Sequence, residues 1–285
     1  AIGEVYAERS GVINMGIEGI MLFGALTGIA AGYYLDSLVL AVICTILVGA
    51  ILGLIVAFLT VSRRTNQVVT SLMVNMISLG ATDALFSLMS ETRQSRVATF
   101  PTIFPESLQQ IPIIGPLLFS QPISTWVALI LPLIAAHILY KTKWGLNVRA
   151  IGDNPKAAAT AGLSVIKLKY QTVILSGIFA ALGGCVLTLA EVGYFSTGGM
   201  AGGRGFIVMA ACVVGGWDPI RTAVVCLIFG AADAAQLRFQ TTGSVIPYQF
   251  LQMLPYIVTI IALTMMVKRS VVPKTWGSAY DPKDV

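Results

Sequence analysis

The sequence predicts an all-α, polytopic membrane protein, and three observations carry this prediction. Apolar residues make up 56% of the 285 residues and charged residues only 11%, against roughly 25% charge in soluble domains. The mean hydropathy is +0.84. Apolar runs long enough to cross about 30 Å of hydrocarbon as helices recur along the chain. Basic residues flank these runs and form no stripe interleaved with aromatic residues, which argues against a nucleic-acid-binding protein.

Four crossings are predicted before residue 141. They are Gly11 to Tyr34, Leu38 to Val61, Asn66 to Ser90 and Pro122 to Tyr140. Glycines in the first two recur at every fourth position, a spacing that lets neighbouring helices approach closely. Because residue 1 lies in what reads as the end of a helix, we expect a further span upstream. Prolines are dense between residues 91 and 121, so this segment is predicted to be a long loop.

Four more crossings are predicted after residue 170, which gives eight in a single transmembrane domain covering residues 1–285. They are Gln171 to Ala190, Arg204 to Gly215, Pro219 to Arg238 and Gln249 to Val267. Glycine is too dense around residues 198–203 for a helix. The region 191–219 is therefore predicted to contain broken half-helices, which a membrane tolerates where they are buried in protein or line a cavity.

A weak internal similarity joins the two halves of the chain. Gly16, Glu18 and Gly19, followed by an apolar run, align with Gly202, Arg204 and Gly205, followed by another. The predicted topology makes these segments run in opposite directions, as inverted repeats do. We therefore treat them as a candidate inverted repeat.

The lysines set the predicted orientation. All eight lie in residues 141–169 or after Val267, and the Arg63-Arg64 pair closes another loop of the same parity. Positively charged loops stay on the cytoplasmic side. Residues 141–169 are therefore predicted to be cytoplasmic, and the loop 91–121 extracytoplasmic.

A short capped helix is predicted inside the cytoplasmic segment 141–169. Asp153 or Asn154 can accept a hydrogen bond from the first free N–H groups, Pro155 has the φ angle of a first helical residue, and Gly162 can end the helix in the left-handed conformation. A helix of about two turns is not stable alone in water. It must therefore be held against another surface.

This helix resembles the coupling helix of ABC-importer permeases, whose signature is an acidic residue, two alanines, three further residues and a glycine. Ala157, Ala158 and Gly162 match this signature, whereas Lys156 replaces the acidic residue. Three segments carry the resemblance along the chain: Glu8 to Ala25, Asn147 to Val165 and Gly198 to Pro219. Together they are similar to the permeases of bacterial nucleoside ABC importers, a group that includes branched-chain amino acid and ribose permeases.

The resemblance implies a multi-pass protein of the bacterial cytoplasmic membrane. It implies a second permease subunit, commonly a different one, a cytoplasmic ATPase with two nucleotide-binding modules, and an extracytoplasmic lipoprotein that delivers nucleoside. ATP and Mg²⁺ would be bound by the ATPase, so this chain is expected to bind no cofactor and to be no enzyme. The residues expected at the ATPase contact are Arg149, Asp153, Asn154, Pro155, Lys156, Ala157, Ala158 and Gly162.

Polar residues at membrane depth are the candidates for a substrate pathway, because a polar group there is costly unless it faces the bundle interior or water. The candidates are Asn14, Glu18, Asn75, Asp83, Glu191, Arg204, Asp233 and Gln236. Such residues also join helices by hydrogen bonds. A nucleoside is flat and rich in hydrogen-bonding edges, so aromatic neighbours are added as candidates: Phe86, Tyr194, Phe195 and Phe206.

Other functions stay open at this stage. A branched-chain amino acid or sugar permease is the alternative within the class, and an ion-coupled secondary transporter would use Glu18, Asp83 and Asp233 as ion sites. A membrane scaffold is disfavoured by the buried charges. The four cysteines lie singly in apolar runs and His137 is the sole histidine, so no metal site is predicted. The sequence contains no phosphate-binding P-loop motif.

Overall fold

The computed structural model describes residues 1–89, 99–102, 104, 119–241, 253, 257, 259–262, 264 and 272–281. Ten α-helices lie wholly within these residues: α1 Ile2–Arg9, α2 Ile17–Tyr34, α3 Leu38–Ala57, α4 Gln67–Leu88, α5 Ile123–Lys141, α6 Lys143–Asp153, α7 Pro155–Thr160, α8 Val165–Val186, α9 Arg204–Val214 and α10 Pro219–Thr241. Helices α3 and α8 continue into π-helical turns at Phe58–Ser62 and Leu187–Val192.

The prediction of an all-α, polytopic membrane protein is confirmed. Six helices of the described chain are long and apolar enough to span a membrane: Ile17–Tyr34, Leu38–Ser62, Gln67–Leu88, Ile123–Lys141, Val165–Ala190 and Pro219–Gln240. The predicted crossing at Arg204 is a helix of 11 residues, about half of the length that a bilayer requires. The predicted crossing from Gln249 to Val267 and the predicted loop 91–121 lie largely outside the described residues.

The first predicted crossing begins later than the sequence indicated. The prediction started it at Gly11, whereas α2 begins at Ile17 and residues 10–16 form an irregular break after α1. Gly11 has a φ of +88°, a left-handed conformation that a continuous helix excludes. Residues 2–34 therefore form two helices separated by a break.

Helix α8 lies at the centre of the bundle, packed against α2 and α3. A Cβ atom added to Gly184 would collide with the backbone carbonyl of Met21 in α2, and one added to Gly24 would collide with that of Ala181 in α8. On α3, a Cβ added to Gly49 would lie 2.7 Å from the Gly177 carbonyl oxygen. The predicted small-residue faces thus bring three helix backbones together, as packing in lipid requires.

Helices α6 and α7 lie together at one end of the bundle. Thr142 caps α6 by accepting a hydrogen bond from the Gly145 N–H at 3.1 Å. Trp144 on α6 packs edge-on against Tyr6 of α1, with ring centroids 5.4 Å apart. The segment predicted to be a cytoplasmic loop is therefore a folded layer attached to the bundle.

Replacing Gly184 by alanine tests the contact between α2 and α8. Gly184→Ala should destabilise the protein by about 1–3 kcal/mol, because the added methyl group forces two helix backbones apart. The neighbouring Gly183→Ala is a matched control: its Cβ would contact only the Met21 Cε, at 3.8 Å, and alanine gains about 1 kcal/mol of helix propensity. Thermal unfolding of the solubilised protein measures both, and equal stabilities would contradict the close approach.

Candidate functional site

The glycine-rich segment before α9 returns the chain towards the interior of the bundle. Gly198, Gly199, Gly202 and Gly203 all have positive φ angles, between +60° and +90°. Residues that carry a Cβ atom rarely adopt this backbone conformation. The segment therefore forms an irregular turn, and α9 starts from its end as a new helix.

Glu18 of α2 caps the start of α9. Its Oε1 accepts a hydrogen bond from the Gly203 N–H at 2.8 Å, and its Oε2 accepts one from the Gly205 N–H at 2.6 Å. The first N–H groups of a helix have no partner within the helix, and its N-terminus carries partial positive charge. The Glu18 carboxylate therefore supplies both the missing hydrogen-bond acceptors and a negative charge opposite the partly positive helix end.

The start of α2 is capped in a related way by Asn75 of α4. Asn75 Oδ1 accepts from the Gly19 N–H at 2.8 Å, while its Nδ2 donates to the Met15 carbonyl at 2.9 Å. Asn14 Oδ1 also accepts from the Gly16 N–H at 3.1 Å. Both helices that restart inside the bundle are thus capped by polar side chains.

A buried polar network supports the break before α2. Glu4 accepts hydrogen bonds from the Asn14 N–H at 3.0 Å and from the Ser176 hydroxyl at 2.7 Å, and Asn14 Nδ2 donates to Ser176 Oγ at 3.0 Å. These three residues are almost fully buried. Buried polar groups need such partners to offset their loss of water. The network therefore holds the break between α1 and α2 against Glu4 of α1 and Ser176 of α8.

We call the N-terminal ends of α2 and α9 the restarts, because each helix begins there after an irregular segment. The two restarts are in contact. A Cβ atom placed on Gly205 would lie 2.6 Å from the Glu18 backbone nitrogen. The other end of α9 leads into the turn at Gly216 and Trp217, which Arg9 binds from the end of α1. Eleven residues rise about 16 Å, roughly half of a 30 Å hydrocarbon core. The meeting point therefore lies about 16 Å from the turn at Gly216 and Trp217.

A cavity of about 840 Å³ adjoins the start of α9, within the range of roughly 300–1,000 Å³ usual for small-molecule sites. Arg204 and Asp233 form an ion pair inside it, with Nη2 and Oδ2 3.1 Å apart and both side chains about one-third exposed. Its other polar lining comes from Tyr194, Ser196 and Gln236. Its apolar lining includes Leu187, Ile207, Val208 and Phe229. The cavity thus offers aromatic surface, hydrogen-bonding groups and one charge of each sign.

The remaining pathway candidates lie elsewhere. Asp83 accepts hydrogen bonds from the Gly198 N–H at 3.1 and 3.2 Å, so it holds the glycine-rich segment. Phe86 is buried against Phe195, with ring centroids 4.9 Å apart. Phe206 is 46% exposed and does not line the cavity. The side chain of Glu191 lies outside the described residues.

The sequence reasoning missed Ser196, Phe229 and Gly230 as lining residues. A signal for two of them existed on α10. Positions 226, 229, 230, 233 and 237 are spaced three or four apart, so they share one helix face. Asp233 marks this face as facing the interior, and the same spacing would have added Phe229 and Gly230. Ser196 lies in irregular backbone, where no periodicity applies.

Helix α7 has the predicted caps. Asn154 Oδ1 accepts from the Ala157 N–H at 3.1 Å, and Pro155 is the first helical residue. At the other end Gly162, with a φ of +86°, donates to the Ala159 carbonyl, and Leu163 donates to that of Ala158. This pair of bonds is the Schellman motif, which satisfies the last free carbonyls of a helix.

The faces of α7 differ in exposure. Pro155 and Ala158 are buried, and Ala158 packs in a cluster with Ile151, Val165 and Leu168. The outward residues are Asp153, Asn154, Lys156, Ala157, Thr160, Ala161 and Gly162. Arg149 is half-buried over the ring of Tyr140, 5.2 Å from its centroid. Ala158 therefore supports the layer from inside, while Ala157 and Ala161 belong to its outer surface.

Replacing Glu18 by glutamine tests the cap on α9. Glu18→Gln should lower the free energy of unfolding by about 1.5–3 kcal/mol, because it removes charge-assisted hydrogen bonds to two N–H groups and places an NH₂ donor near them. Asp36→Asn, which removes one exposed carboxylate just after α2, serves as the control. Thermal unfolding compares the two, and an unchanged stability for Glu18→Gln would contradict the capping role.

Comparisons with known proteins identify a family and several relatives of this chain. Residues 1–263 match the family described as branched-chain amino acid transport system, permease component. The chain is 35% identical to the guanosine ABC transporter permease protein NupQ of Bacillus subtilis and 33% identical to the nucleoside ABC transporter permease protein NupC of Lactococcus lactis. Each match covers 98% of this chain and 91% of the relative.

Weaker matches add to this picture. A second permease protein from each of these bacteria, NupP and NupB, is 27% identical, and a glucose ABC transporter permease protein of Haloferax volcanii is 26% identical over 78% of this chain and 61% of its own length. No solved structure matches. A third relative above 30% identity is the putative glucose ABC transporter permease protein TsgC13 of Haloferax volcanii, at 35% over 84% of this chain and 73% of its own length. With a family match over most of its length and three relatives above 30% identity, the chain belongs to the family of branched-chain amino acid transport system permease components.

Proposed function

We propose that this protein is a permease subunit of an ATP-driven importer of nucleosides in a bacterial cytoplasmic membrane. The observation that carries the proposal is the near full-length similarity to permeases named for guanosine and nucleoside transport. The cavity supports it in chemical terms. Tyr194 and Phe229 offer aromatic surface, and Ser196 and Gln236 offer neutral hydrogen-bonding groups, which suit a flat molecule with polar edges.

The importer requires partners. The proposal includes a second permease, an ATPase that binds ATP and Mg²⁺ in two nucleotide-binding modules, and an extracytoplasmic lipoprotein that delivers nucleoside. A different second permease is favoured because two permease proteins named for the same substrate match this chain in each of two bacteria. Under this proposal the chain itself hydrolyses no ATP.

The surface proposed to meet the ATPase is the outer face of α7, in the cytoplasm. It presents Ala157 and Ala161, flanked by Lys156 and Asp153. The small side chains allow a partner backbone to approach α7 closely, and Lys156 favours an acidic group opposite it. The six basic residues of the 141–169 segment support the cytoplasmic orientation, which puts the loop 91–121 outside.

A branched-chain amino acid is the second candidate substrate. Arg204 and Asp233 provide a cation and an anion in one cavity, the charges that a zwitterion would need. In the structure these side chains pair with each other, so binding an amino acid would require breaking that pair. A sugar, as in the glucose permease relative, would need several hydroxyl partners.

Uptake into proteoliposomes that contain the purified complex tests the substrate. We expect ATP-dependent accumulation of labelled guanosine that unlabelled nucleosides abolish and leucine or glucose does not. Uptake that follows an ion gradient without ATP, or competition by leucine alone, would contradict the proposal.

Gln236→Ala should raise KM for guanosine about 5- to 30-fold, since a lost buried hydrogen bond costs about 1–2 kcal/mol. Phe206→Ala, outside the cavity, is the matched control.

Bulky substitutions on α7 test the ATPase contact. Ala157→Trp and Ala161→Trp should each prevent co-purification of the ATPase and abolish uptake, because the indole blocks close approach at the outer face. Both positions are exposed, so the permease itself should remain folded, which its elution profile and thermal unfolding check. Met76→Trp, on a 75% exposed side chain of α4, is the control. ATPase retained by both α7 variants would refute this docking surface.

A further inference from the structure

Residues 272–281, which we call the strap, cross the end of the bundle that carries α6 and α7. The strap first contacts the end of α6. Thr275 donates to the Gly152 carbonyl from its backbone N–H at 3.1 Å and from its hydroxyl at 2.6 Å. Gly152 lies two residues before Asn154, which caps α7. The strap is therefore fixed next to the start of α7.

The same segment contacts the break between α1 and α2. The Gly277 N–H donates to the Gly11 carbonyl at 3.2 Å. A Cβ atom on Gly277, whose φ is +74°, would lie 2.9 Å from Ile13 Cδ1. This break leads directly to Asn14, Gly16 and the restart of α2.

Trp276 joins the strap to the other broken helix. Its ring packs edge-on against Trp217, with centroids 5.9 Å apart. Trp217 is 1% exposed, lies in the turn between α9 and α10, and donates its indole N–H to Glu8. Arg9 holds the same turn through hydrogen bonds to the Trp217 and Gly216 carbonyls at 2.9 and 3.2 Å. A displacement of the strap would therefore reach the far end of α9.

The last described residues of the strap attach it to two more elements. Tyr280 packs on the cluster that contains Ala158 of α7, together with Ile151 and Val165. Asp281 forms an ion pair with Arg64, in the turn between α3 and α4, at 2.5 Å. One ten-residue segment thus contacts the cluster on the inner face of α7, the break that leads to the start of α2 and the turn at the far end of α9.

We propose that Trp276 and Tyr280 are positioning residues that transmit the movement of α7 to the restarts of α2 and α9. Helix α7 itself contacts α6 and α8, and the strap extends its contact surface to Gly11 and Trp217. The role of the strap rests on the proposed function, since it presumes that an ATPase displaces α7.

The test compares uptake with ATP hydrolysis in the reconstituted complex. Trp276→Ala and Tyr280→Ala should keep the ATPase bound and hydrolysing ATP, while guanosine uptake per ATP falls at least about fivefold, the lower range of typical coupling between sites. Trp276→Phe and Tyr280→Phe, which keep an aromatic ring, should restore most of the coupling. Unchanged uptake per ATP, or loss of the ATPase from the complex, would refute the transmission role.

Exchanging the charges of Arg64 and Asp281 tests the contact between the strap and the turn between α3 and α4. Because both side chains are about one-third exposed, the exchange should affect folding little. Arg64→Asp and Asp281→Arg should each lower uptake per ATP by up to about fivefold, the range of an exposed ion pair, and the double variant should recover it. No loss in either single variant, or a double variant worse than both, would refute the role of this contact. A wild-type complex without ATP-dependent uptake would refute the proposed function instead.

Discussion

The capping of α9 by Glu18 is the contact on which the interior of the bundle depends. A helix that starts inside a membrane exposes N–H groups to a region without water, and each unsatisfied group costs several kcal/mol. Arg204, at the first position of α9, adds a positive charge to a helix end that is already partly positive. The carboxylates of Glu18 and Asp233 supply the opposite charge. These two carboxylates therefore stabilise the half-helix and the side of the cavity that it forms.

The bundle combines two kinds of contact with different mechanical properties. Helices α2, α3 and α8 approach through glycines at backbone distance, and such interdigitated packing resists sliding because any displacement creates collisions. The restarts are held by hydrogen bonds from single side chains, Glu18 and Asn75. A few hydrogen bonds can exchange partners where a packed interface cannot. A transporter needs two stable arrangements, and the restarts are the part of this bundle suited to change.

Features that depend on residues close together in the chain could be predicted from the sequence. The spans followed from hydropathy, and the caps of α7 followed from Asn154, Pro155 and Gly162, because capping is local. The prediction started the first crossing at Gly11 because an apolar run does not show where buried hydrogen bonds interrupt a helix. The partner of Glu18 lies 185 residues away at Gly203, and the inward face of Ala158 depends on Val165 and Leu168. Such pairings arise only when the whole chain packs.

The two aligned restarts are similar in backbone but differ in charge, and this difference explains why the cavity lies at one of them. Asn75 caps α2 with a neutral amide whose donor and acceptor are both used within the protein. At α9 the cap is a carboxylate, and Arg204 and Asp233 remain about one-third exposed beside it. A partly exposed ion pair beside the start of a helix inside the bundle requires a polar, accessible space, because charges buried in hydrocarbon are too costly. The start of α9 is therefore the restart that has both a cavity and partly exposed polar groups beside it.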